Sequence, residues 1–101
     1  MPTFTHLQSG DGCEIIVDRR IDGEAANELE IALLAVIQSS VKTIYINLAE
    51  CNFICSAGIR VLLQYHRKMK MDQKSLLVSR ASAEVDTILE MTGFRESLLA
   101  K

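Results

Sequence analysis

The stretch Asn52-Phe-Ile-Cys-Ser-Ala-Gly-Ile-Arg-Val-Leu-Leu63 decides how this chain is read. Just upstream, Lys42-Thr-Ile-Tyr-Ile-Asn-Leu48 is β-branched and aromatic, the composition of a strand. Downstream, Gly58, Val61, Leu62, Tyr65 and Met69 recur at helical spacing, which predicts a helix to about Met71. A strand therefore passes through a few small residues into a helix. Ser56 stands at that junction. There several backbone N–H groups have no intrahelical partner, and a serine hydroxyl is expected to cap them. Ile59 and Leu63 broaden the apolar stripe on one side, which reads first as packing.

Working outward, Asp22 precedes a second helical pattern in which Ala25, Leu29, Ala32, Leu33 and Val36 share a stripe. Its carboxylate suits an N-cap, and Glu24, Glu28 and Glu30 lie towards the positive end of the helix. That helix is expected to stop near Gln38-Ser-Ser40. Before it, Thr3–Gln8 and Cys13–Val17 read as two strands around the turn Ser9-Gly-Asp-Gly12, an antiparallel hairpin. Beyond Met71, Ser75-Leu-Leu-Val-Ser79 reads as another strand. Ser82 caps a helix with Val85, Ile88 and Leu89 inward, Gly93 ends it, and Phe94–Leu99 forms a last helical turn or two.

A strand–helix–strand connection is a right-handed parallel crossover, and strands so connected are usually buried on both faces. The expected fold is α/β: one domain over residues 1–101, with a mixed sheet of about four strands flanked by helices in the order β-β-α-β-α-β-α.

Composition narrows the function. About half of the 101 residues are apolar, enough for a core without metal or disulfide staples. The formal charge of −2 is spread along the chain, which disfavours nucleic acid as a direct partner. The densest basic run, His66-Arg-Lys-Met-Lys70, suits the negative end of a helix and reads as solvated. No apolar run approaches the roughly 20 residues of a membrane span, and the N-terminus lacks the pattern of a signal peptide. A cytoplasmic location is therefore expected.

Cys13, Cys51 and Cys55 are an odd set with no zinc spacing, so free thiols and no metal are expected. Cys55 alone sits where a helix start would favour a redox-active thiolate. His6 and His66 flank no nucleophile, and the chain contains no G-x-S-x-G elbow, dinucleotide fingerprint or phosphate loop. Neither an enzyme nor a bound cofactor is expected, and nucleotide binding at the same helix start lacks a supporting lysine. A phosphate on Ser56 is a different matter. It would add about −1.5 to −2 charges at a helix end suited to anions, with Ala57 and Gly58 leaving room for a partner's active site.

Three segments carry a resemblance. They are Ile44-Tyr-Ile-Asn-Leu48 with Phe53-Ile-Cys-Ser-Ala-Gly-Ile-Arg-Val-Leu-Leu63, the run from Ser79 to Phe94 that ends Ile-Leu-Glu-Met-Thr-Gly-Phe, and Ile21-Asp22 before the first helix. In this order they resemble the STAS domain family, and within it the stand-alone bacterial anti-sigma factor antagonists. The resemblance implies a partner-switching regulator. The unphosphorylated form binds an anti-sigma factor that is also a serine kinase and so frees a sigma factor. Phosphorylation at Ser56 ends that binding, and a serine phosphatase resets it.

By the same resemblance Ser56 is the switch, and Asp22, Cys55, Ala57, Gly58, Ile59 and Arg60 form the partner surface. This chain departs from the family pattern in having Cys55 where Asp is usual, and a charged Arg19-Arg20 pair where glycine is usual. The alternative is a STAS scaffold or transporter-associated subunit in which Ser56 is only a helix cap.

Overall fold

The aliphatic runs pair into one four-stranded sheet in the computed structural model, which describes residues 4–99. Strands β1 (Thr5–Ser9) and β2 (Gly12–Ile16) form the antiparallel hairpin, turning through Gly10 at φ 60°. Helix α1 (Gly23–Ile37) then crosses to β3 (Thr43–Leu48), and α2 (Ser56–Met71) crosses to β4 (Ser75–Ala81). Both crossovers join parallel neighbours, and the sheet order is β1-β2-β3-β4. The sheet is thus mixed, as the sequence predicts. Thr3, at the start of the expected first strand, lies outside the described residues.

Two right-handed crossovers that advance in the same direction set their helices on the same face of a sheet. Accordingly α1 and α2 pack against each other. Tyr65 of α2 donates its hydroxyl to Glu30 Oε2 of α1 at 2.7 Å. Helix α3 (Ala83–Thr92) and the single turn α4 (Arg95–Leu98) pack against β4, and Leu99 bridges Val78 on the edge of β4 that β3 does not occupy. Beyond Ile46, β4 carries one extra residue relative to β3, so the strand runs past Ser79 to Ala81.

The expectation that the strands are buried on both faces is overturned. Cys13, Ile15, Ile44, Ile46, Leu76 and Val78 face the core, whereas Glu14, Tyr45, Asn47, Leu77 and Ser79 alternate with them and stay partly or fully exposed. The period of two arises because the helices cover one face only. Glu14 and Asn47 complete the open face, with Asn47 Nδ2 donating to Glu14 Oε2 at 3.1 Å.

The core is aliphatic. Ile15, Leu29, Leu33, Ile44, Ile46, Leu48, Leu62, Leu76 and Leu89 are fully buried, and among the described residues no buried side-chain N or O lacks a hydrogen bond. Of the expected stripes, Ala25, Leu29 and Leu33 in α1, Gly58, Val61, Leu62, Tyr65 and Met69 in α2, and Val85 and Leu89 in α3 are buried, whereas Ala32, Val36 and Ile88 are half-buried against the core.

Candidate functional site

The C-terminal ends of β2 and β3 lie side by side, so the loops that follow them meet. Val17 N donates to Asn47 O, Ile21 N to Phe53 O at 2.8 Å, and Cys55 N to Ile21 O at 2.9 Å. These bonds make a parallel bridge between Ile21 and Ile54, which are both buried. The residues after the bridge, Asp22 and Cys55, are the N-caps of α1 and α2. Two helix starts therefore open at one corner of the molecule, at the carboxyl ends of parallel strands, where α/β sheets place their ligands.

The two starts differ. Asp22, half-buried, accepts Ala25 N–H at 2.9 Å through Oδ1 and satisfies the first turn of α1. That hydrogen bond outweighs the opposing effect of burial and holds its carboxyl below the usual range, and the nearby Arg19 and Arg20 cations act more weakly in the same direction. The start of α2 receives no side-chain cap. Ser56 is not the cap residue the sequence predicts. Cys55, in extended conformation at φ −83° and ψ 172°, takes that place, and Ser56 is the first helical residue. Its side chain is exposed and makes no capping hydrogen bond to the first turn. Its hydroxyl is free for chemistry because it is not spent on the helix.

Gly58 lies on the buried stripe of α2, as its spacing predicts, but it does not leave the expected room for a partner's active site. It is buried, and a Cβ there would stand 2.7 Å from Ile21 Cγ2 and 2.8 Å from Ile54 Cγ1. The missing side chain lets α2 settle onto the Ile21–Ile54 bridge and leaves no space for a visitor. Among the other expected surface residues, Cys55 and Ala57 are half-buried, Arg60 is exposed and Ile59 is almost covered. Asp22 and Cys55 are brought to the same corner as Ser56 by the bridge.

Sequence reading missed the neighbours. The Arg20 guanidinium lies 4.8 Å from the centroid of the Phe53 ring, a cation–π contact between the two loops. Cys51 is fully buried and gives its thiol hydrogen to Phe53 O, and burial raises its pKa, so it belongs to the scaffold of the loop. From the other side, Ser82 Oγ donates to Cys51 O while accepting Val85 N–H, which ties the start of α3 to the same loop.

A cleft of about 420 Å³ runs from Ser56 along α2, lined by Ile59, Arg60, Leu63, Gln64 and Arg67 and closed by Thr92, the last residue of α3, and Phe94 just after it. Ile59 and Leu63, the apolar excess of α2, form its floor, with Phe94 opposite. The helical spacing of Ser56, Ile59, Leu63 and Arg67 was visible in the sequence, but the opposing wall at Thr92 and Phe94 was not. No group of three or more metal-ligating side chains occurs among the described residues.

The sequence pattern of the STAS domain family matches residues 7–101. BtrV of Bordetella bronchiseptica is 26% identical over 74 residues, which cover 73% of this chain and 64% of that protein. An anti-sigma-B factor antagonist of Staphylococcus epidermidis is 23% identical over 94 residues, 93% of this chain and 84% of its own. The anti-sigma factor antagonist SpoIIAA in its unphosphorylated form superposes with a TM-score of 0.83 at 18% identity, over 97% of this chain and 88% of SpoIIAA. At that identity the likeness establishes the fold.

Proposed function

The chain belongs to the STAS domain family, and from that premise we propose that it is an anti-sigma factor antagonist switched by phosphorylation of Ser56. The observation that carries this reading is the exposed Ser56 hydroxyl on the first residue of a helix that no side chain caps. The unmodified protein binds an anti-sigma factor with serine kinase activity and so releases the sigma factor. That kinase moves the γ-phosphoryl group of ATP to Ser56 Oγ; ADP leaves, and the hydroxyl proton passes to a base on the kinase. A serine phosphatase hydrolyses the ester and restores the binding form.

The protein itself is a substrate and a binding surface in this scheme and performs no catalysis. The uncapped N–H groups and the positive end of α2 accept the added charge without refolding. The partner meets a dianion where it met a hydroxyl, and misplaced charge at an interface costs several kcal/mol. Similarity to the anti-sigma-B factor antagonist supports the partner class. Asp22, Cys55, Ala57 and Arg60 supply the partner-facing surface, with Ile59 and Gly58 beneath it.

The test is to incubate the purified protein with ATP and the anti-sigma kinase encoded nearest to it, and to map the product by mass spectrometry. Phosphate on Ser56, absent from Ser56→Ala, and loss of the complex in Ser56→Asp are expected. A complex indifferent to Ser56→Asp would sink the switch and leave the scaffold reading.

A further inference from the structure

Arg60 follows Ser56 by four residues, one helical turn, and both border the same cleft. Arg67 stands two turns further along that wall, about 10 Å from Arg60 at roughly 1.5 Å of rise per residue. Both arginines are exposed, and neither is in an ion pair among the described residues. The floor between them is Ile59 and Leu63 with Phe94 on the opposite wall, and no acidic residue lines the cleft. The site is thus an apolar trough with two free cations at its rim and the switch serine at one end.

We propose that this trough receives an acidic amphipathic helix of the anti-sigma partner, with carboxylates paired to Arg60 and Arg67, and that phosphate on Ser56 takes Arg60 away from that helix. The idea rests on the switch described above and adds the chemistry of the partner and the route by which the switch acts. The apolar floor calls for a helix face with anchors at i, i+3 or i+4 and i+7, and the rim calls for carboxylates about two turns apart.

An anion placed four residues before a cation is the favourable orientation on a helix. A guanidinium binds phosphate through two parallel N–H···O bonds. The phosphate carries more charge than a partner carboxylate and meets Arg60 within one helix, without the entropy loss of association. Phosphorylation therefore acts twice: it repels the partner's acids and removes one of the cations that held them.

Two measurements test this. The first uses the protein alone, with phosphoserine installed at position 56 by an expanded genetic code. Phosphorus NMR should show the second ionisation of the phosphate, ordinarily near pH 6, lower by about half a pH unit or more than in the Arg60→Gln variant. Equal titrations in the two proteins would overturn the withdrawal of Arg60.

The second uses the purified anti-sigma kinase. Arg60→Gln and Arg67→Gln should each weaken the unphosphorylated complex about tenfold and flatten its salt dependence. Once Ser56 is phosphorylated, Arg60→Gln should change affinity by less than about threefold, because the two sites are coupled. Affinities within about twofold of wild type for both unmodified variants would overturn the docking, and an undiminished effect of Arg60→Gln after phosphorylation would overturn the exchange. If the kinase never modifies Ser56, the switch itself fails. If it does and the arginine variants behave as wild type, only this inference fails. Unchanged melting curves verify that the glutamine variants are folded.

Discussion

Gly58 carries no side chain because Ile21 and Ile54 occupy the space one would need. Alanine at this position would gain about 1 kcal/mol of helix propensity. It would also force apart two buried side chains whose branched carbons have little freedom, at a cost of about 1–3 kcal/mol. Gly58→Ala should therefore be destabilising by about 1 kcal/mol, read as a lower urea midpoint with an unchanged slope. Asp22 separates stability from recognition. Asp22→Ala removes the bond to Ala25 N–H and should cost about 1 kcal/mol, whereas Asp22→Asn keeps a competent cap at little cost. Because the folded-state pKa of Asp22 is lowered, its stabilising effect is present above the usual carboxylate pKa and fades as pH falls through the folded value. If the charge also meets the anti-sigma partner, Asp22→Asn should weaken binding in titration calorimetry while its melting temperature stays close to wild type.

At the scale of elements, the helix starts are held from outside as much as by their own sequence. Ser82 caps α3 by accepting Val85 N–H and at the same time donates to Cys51 O in the loop before α2. Ser82→Ala removes both bonds and leaves the carbonyl of a fully buried residue without that partner. The expected loss is about 2 kcal/mol, more than a cap alone, and thermal unfolding measures it. Hydrogen exchange should show the additional loosening at the amides of the 51–55 loop, which a simple cap deletion would not reach. Helix α2 begins without any such side-chain cap, in contrast with α1 and α3.

For the molecule as a whole, helices on one face of a four-stranded sheet leave stability to a single aliphatic layer. The Tyr65–Glu30 hydrogen bond is the polar link between α1 and α2 within that layer. Burial, followed by the hydrogen bond and charge of Glu30, pushes the Tyr65 phenol up to about 12. An unfolded tyrosine loses its proton near pH 10, so between about 10 and about 12 the native state holds the proton while the unfolded state does not. Stability is then fully present below about pH 10 and falls as pH rises through that window. Tyr65→Phe should flatten this alkaline decline in denaturant titrations at pH 9 to 11, because a phenylalanine has no phenol to ionise in either state.

Much of this architecture was legible in the sequence. Period-two and period-3.6 patterns are local properties, and they fixed four strands, three substantial helices and their order. Asp22, Ser82 and Gly93 announced helix ends because capping chemistry is local as well, and the junction at Ser56 followed from the strand before it and the helix after it. What lay beyond the sequence was decided by contacts between distant segments. The one-sided sheet depends on where two crossovers place their helices. Gly58 read as a stripe position with room beside it for a partner, and the close approach of Ile21 and Ile54 fills that room. Cys55 displaced Ser56 from the cap because the Ile21–Ile54 bridge holds the chain extended one residue further than propensity alone indicates. The cleft beside Ser56 exists only because Thr92 and Phe94 fold back opposite α2, a wall that no spacing within residues 52–63 could announce.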